Sequence, residues 1–220
     1  MRWMVPALLL LLAQSATPPA TPPVATPASL PPAYPRPGAT KILDTDRVQV
    51  WNIAWLKGQP SPLHRHIYDL VGVYYEPGDR MIISPDGARR PVSTKAWDIA
   101  FQRKDVTHIE EGVSDAPLRA VFVEMKQPGL YDAETPGSAT AAGDAPAFPG
   151  DGATERLDND RVTVWEFTRM PSSTRHRHMH DAVAVEIDGE HPRATWIARG
   201  TVHSDEAVAN ASRLYVFELK

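Results

Sequence analysis

The chain has no cysteine. Disulfides and a lipid-modified leader are therefore excluded, and the fold must be held by core packing alone. An excess of basic charge is also missing. Lys and Arg number 23 against 27 Asp and Glu, for a formal charge of −4, which removes the electrostatic footprint of a nucleic-acid binder. No stretch carries a sustained helical period, so a helix bundle is excluded. Neither a nucleophile elbow nor a phosphate loop occurs.

What is present begins with a leader-like start. Arg2 supplies one positive charge, Ala7 to Ala13 is nearly all leucine, and Ala13-Gln14-Ser15 offers small residues before Ala16. Residues 1–15 read as a secretory signal peptide, since the apolar run is too short to span a bilayer. The expected location is secreted or periplasmic, with no membrane association once the leader is cleaved. Residues 16–39 are rich in Pro, Ala and Thr and read as a disordered, extended tether.

Beyond it the chain repeats itself, and an internal repeat governs the reading of a fold. Leu43-Asp44-Thr45-Asp46-Arg47-Val48-Gln49-Val50-Trp51 returns as Leu157-Asp158-Asn159-Asp160-Arg161-Val162-Thr163-Val164-Trp165. Each copy reads as a turn feeding a strand, with the Asp-x-Asp-Arg capping the turn and pairing at the surface. His64-Arg65-His66-x-x-Asp69-x-Val71-x-Val73 likewise returns as His176-Arg177-His178-x-x-Asp181-x-Val183-x-Val185. Both copies end on matching strands, Arg119–Lys126 and Arg213–Lys220. The first copy alone has an extra loop, Glu76 to Thr94. The spacing predicts an all-β protein with one unit at 40–126, a linker at 127–153 and a second unit at 154–220.

In a strand, residues i and i+2 share a face, so each His-x-His pair aims two imidazoles into one space. Neutral imidazole is the commonest protein ligand for divalent transition metals. His108 and His203 recur at matching later positions, which gives two triads: His64, His66, His108 and His176, His178, His203. Trp51, Trp165, Phe101 and Trp196 read as core. Arg65 and Arg177 should point outward, toward Asp69 and Asp181.

On these residues the chain resembles the cupin superfamily, and its doubled copy resembles a bicupin: two tandem double-stranded β-helix (jelly-roll) barrels. The likeness covers about residues 40–126 and 154–220. It implies a divalent ion held by three histidines per barrel, with Fe, Mn, Zn, Ni and Cu not distinguished. It further implies a metal-dependent enzyme of oxygenase or isomerase kind acting on a small organic molecule, or else a non-catalytic ligand- or metal-binding bicupin. A homodimer is compatible with the family. The departure is the family's fourth ligand, a Glu: Leu70, Val71, Ala182 and Val183 occupy its usual places. Asp69 and Asp181 reach a metal only if a bulge turns them onto the histidine face; otherwise they support an imidazole from behind. Tyr68 and His180 share that face and remain rival ligands.

Overall fold

A computed structural model describes residues 30–126, 145–168, 175–204 and 213–220. The leader, most of the tether, and Leu130-Tyr131 in the linker, which could pack on the first unit, lie outside them. The described residues are all-β. The first copy contributes β1 (Ala39–Asp44), β2 (Val48–Trp55), β3 (His64–Arg65), β4 (Asp69–Glu76), β5 (Gly78–Ile83), β6 (Arg89–Thr94), β7 (Ile99–Gln102), β8 (Thr107–Gly112) and β9 (Leu118–Met125). The second contributes β10 (Thr154–Asp158), β11 (Val162–Phe167), β12 (His176–Arg177), β13 (Ala182–Ile187), β14 (Arg193–Ile197), β15 (Val202–His203) and β16 (Arg213–Leu219).

Each copy folds into a sheet of five antiparallel strands facing a smaller one. The large sheets run β1-β2-β9-β4-β7 and β10-β11-β16-β13-β14, the same order in both copies. Opposite them lie β3-β8-β5-β6 in copy one and β12-β15 in copy two. The segment expected as an extra loop is in fact the β5–β6 hairpin, which extends the small sheet of copy one. Its Pro85-Asp86-Gly87 corner closes with Gly87 at positive φ, as a tight turn between two strands requires.

The central strands of the large sheets are largely apolar on both faces because both are covered. Even positions of β2 (Val48, Val50) and odd ones of β4 and β9 (Val71, Val73, Val121, Val123) form one buried cluster with Val162, Val164, Val183, Val185, Tyr215 and Phe217 of the other copy. The two sheets therefore pack back to back. The opposite parity fills each barrel: Trp51, Ile53, Trp55, Leu70, Tyr74 and Phe122 in copy one, Phe167, Ala182, Ala184, Leu214 and Val216 in copy two. Trp51 is core, while Trp165, Phe101 and Trp196 are half-buried against these clusters.

Two segments read as tether and linker are partly structural. Ala33 and Tyr34 are buried in the first barrel, and Phe148 in the second. Both aromatics precede a cis proline, Pro35 and Pro149. Tyr34 stacks on Trp51, and Phe148 meets Trp165 edge to face.

Candidate metal centres

β3 is two residues long, but it sets His64 directly opposite His108 on β8, and β12 sets His176 opposite His203 on β15. This register explains how a histidine dozens of positions downstream joins the local pair. In copy one, the His66 Nε2 lies 3.3 Å from that of His64 and 3.2 Å from that of His108. In copy two, His178 Nε2 lies 3.2 Å from His176 and 3.1 Å from His203. Each triad is a candidate metal cluster, and five of the six residues are buried, His203 being half-buried.

These spacings fit an ion. Ligands about 2.1 Å from a common centre stand about 3.0 Å apart in octahedral and about 3.4 Å apart in tetrahedral geometry. The electrostatics fit too. Burial pushes His66 down to about 3 against the opposing pull of Glu110, His108 to about 4, and His64 downward as well. His178 falls to about 3, by burial and then the neighbouring His203 and His176. These four imidazoles are neutral and lone-pair-bearing at pH 7.

The far side of the rings gives a further test. With Nε2 turned to the shared centre, Nδ1 carries the proton and calls for an acceptor. His64 Nδ1 has one, the Pro62 carbonyl at 2.9 Å. His178 Nδ1 is buried without a hydrogen-bond partner, and so is Glu218 Oε1, 4.0 Å from it. An unpaired donor beside an unpaired acceptor is what a metal-oriented imidazole tightens.

Asp69 and Asp181 belong to neither cluster of candidate ligand atoms. β4 holds its register from Asp69, which pairs with Met125, to Tyr74 and shifts only beyond it, so no bulge turns Asp69 and its parity points it to the sheet–sheet interface. There it accepts from Arg161 Nε at 2.7 Å. Asp181 accepts from Arg47 at 2.7 Å. Arg47 and Arg161, expected at the surface, thus cross to the opposite copy, and Arg65 pairs with Asp105 instead of Asp69. His180 belongs to neither cluster of candidate ligand atoms, and Tyr68 and His180 are both half-buried.

Sequence reading missed the charged wall of copy one. Glu110, two residues after His108 and on the same strand face, is buried and bonded by Arg36 (2.8 Å), Arg80 (3.1 Å) and Trp55 Nε1 (3.0 Å). Burial alone would raise its carboxyl, but the two guanidiniums outweigh that and hold it well below the usual carboxylate range. Strand alternation could have flagged Glu110; nothing local could have supplied Arg36 or Arg80. Glu124, hydrogen-bonded by Gln49 and Trp51, is the other overlooked acid. Burial lifts it to about 7.

The barrels differ inside. In copy one, Trp55, Tyr74 and Phe122 pack against one another. Copy two keeps a cavity of about 90 Å³ beside His178 and His203, walled by Phe148, Ala184, Ile197 and Val216.

The depressed histidines give a pH prediction. Unfolded imidazoles titrate near 6.5, whereas His66 and His108 stay neutral in the fold until about 3 and 4. The unfolded chain thus takes up protons that the fold refuses, and apo stability falls as pH drops below 6.5. For the same reason protons compete weakly for copy one's triad. Its Zn²⁺ affinity should fall less than about tenfold from pH 7 to 5.5, against roughly a thousandfold for three ordinary imidazoles. Chelator competition at both pH values measures this, and a thousandfold loss would overturn it.

No family model and no curated relative matches the chain. Among solved structures, it is similar to a cupin domain from Bordetella pertussis Tohama I at 27% identity, covering 43% of this chain and 100% of that one with a TM-score of 0.38. It is also similar to a cupin 2 conserved barrel domain protein from Leptotrichia buccalis at 12% identity, covering 83% and 88% with a TM-score of 0.44. The described residues form two antiparallel barrels in tandem, each with a three-histidine cluster, an arrangement consistent with a bicupin.

Proposed function

We propose that this chain is an exported bicupin whose barrels each take one divalent transition metal through three imidazoles, and that it acts as a metal-dependent enzyme on a small organic molecule, of oxygenase or isomerase kind. The observation that carries the metal reading is the 3.1–3.3 Å spacing of Nε2 atoms in both triads. Three protein ligands leave coordination places open, the mark of a reactive rather than a structural site. A bound ion would supply Lewis acidity or, if redox-active, electron transfer.

The chain's own residues supply the rest. His64, His66, His108 and His178, whose titration burial lowers, present their lone pairs with little proton competition. Phe148, stacked on His178 with ring centroids 4.4 Å apart, shields one face of the triad from water. The copy-two cavity admits a small, largely apolar ligand beside His178 and His203. Because the two large sheets cover each other within one chain, a monomer is the favoured assembly. Export rests on residues 1–15, and a mature protein starting at Ala16 would support it.

The non-catalytic reading draws on copy one, where the aromatic trio and the Arg36–Glu110–Arg80 cluster fill the barrel. Elemental analysis of the purified full chain, loaded in turn with each candidate metal, tests the proposal. Two ions per chain are expected for the preferred metal. Retention of none across the series would overturn it, and two ions with no turnover of any small-molecule panel would favour the binding module.

A further inference from the structure

We infer that each metal triad is braced from the opposite barrel: Arg161 positions the histidines of copy one through Asp69, and Arg47 those of copy two through Asp181. The inference rests on the metal reading above.

Asp69 uses its two oxygens differently. Oδ1 accepts from the Lys104 backbone at 2.8 Å, in the turn that leads into β8 and His108. That turn is bolted to the local pair, because Asp105 N donates to the His66 carbonyl at 2.6 Å and His66 N to the Val106 carbonyl at 2.9 Å. Oδ2 accepts from Arg161 Nε. The carboxylate thus joins three parts: the strand after His66, the turn before His108, and an arginine of the other copy.

Copy two repeats the circuit. Asp181 Oδ1 accepts from Arg199 N at 2.8 Å, Gly200 N donates to the His178 carbonyl at 2.9 Å, and His178 N to the Thr201 carbonyl at 3.1 Å, two residues before His203. Oδ2 takes Arg47. The arginines are themselves anchored, since Lys126 N donates to the Arg47 carbonyl and Lys220 N to that of Arg161, each at 2.9 Å. A plain staple between barrels would need no contact with the histidine-bearing turns. Here one carboxylate makes both, and outer-shell partners of this kind commonly change metal affinity 10- to 100-fold. The Arg161–Asp69 pair is the more buried, its side chains 9% and 10% exposed against 30% and 21% for Arg47–Asp181, so copy one should depend on its brace more.

The test uses the full chain with a single triad intact: a His176→Ala/His178→Ala background for copy one and a His64→Ala/His66→Ala background for copy two. Co²⁺ is the probe, read by its visible absorption in chelator competition. In the copy-one background, Arg161→Gln should weaken Co²⁺ binding about tenfold, Arg161→Lys should restore most of it, and Arg47→Gln should leave it unchanged. In the copy-two background the roles exchange. Damage to the barrel that carries the substitution would produce the reverse pattern, and that result, or equal losses from both arginines, overturns the inference. Should neither background bind any offered metal, the metal reading itself fails and this inference with it.

Discussion

His66→Ala will empty copy one of metal while copy two stays loaded. His66 Nε2 stands within 3.3 Å of His64 and 3.2 Å of His108, so its removal leaves only the directly opposed His64 and His108. Dividing the roughly 10–16 kcal/mol of a four-ligand zinc site evenly gives about 2.5–4 kcal/mol per ligand, a loss of roughly two to three orders of magnitude. Metal content should drop from two ions per chain to one at concentrations that saturate the native protein. His178→Ala should mirror this in copy two, and the double variant should hold none. If the single variants retain both ions, the triads are not the sites. Because His66 is buried, its loss also opens space, so a thermal melt of the apo protein should accompany the measurement to show that the barrel persists.

Gly72→Ala will destabilise the first barrel sharply although it adds one carbon. Gly72 pairs with Phe122 across β4 and β9, and a Cβ there would stand 1.8 Å from Phe122 Cδ1 and 2.4 Å from the Val121 carbonyl oxygen. Phe122 has little room to yield, with Trp55 and Tyr74 at ring-centroid distances of 5.7 and 5.5 Å. Overpacking of this kind costs about 1–3 kcal/mol, and a carbonyl in the strand ladder places Gly72 toward the upper end. In a chain this size that lowers Tm by roughly 2–4 °C per kcal/mol. The second copy shows the compensation: Ala184 pairs with Val216 at the equivalent place. Gly72→Ala/Phe122→Val should therefore recover much of the lost stability. A double variant no more stable than Gly72→Ala would show that the ring is not the obstacle.

The same pair explains why two near-identical motifs enclose different interiors. A glycine lets an aromatic ring fill copy one, whereas alanine and valine leave the copy-two cavity open. Repeat alignment makes the substitution visible, but which residue faces which becomes clear only from the register across β4 and β9.

Local pattern settled a good deal. Alternation in Val-x-Val and His-x-His places two imidazoles on one face, because strand geometry has period two over any short stretch. It also turned Asp69 and Asp181 away from the metal, and the register of β4 from Asp69 to Tyr74 keeps Asp69 there, its one shift lying beyond, between Tyr74 and Glu76. Glu110 obeys the same rule two places after His108 and was legible in principle. Tyr34 and Phe148 were less so, since a buried aromatic inside a Pro-rich stretch looks like tether until a barrel closes over it.

Residue order alone determined the doubled all-β architecture and the six imidazoles, since periodicity and repetition are properties of neighbours along the chain. Tertiary structure decided who meets whom at long range: His108 against His64, Arg161 against Asp69, and Arg36 and Arg80 against Glu110. Those partnerships depend on back-to-back packing of two sheets and on strand register, which arise from burial summed over the whole chain and leave no mark at any single position.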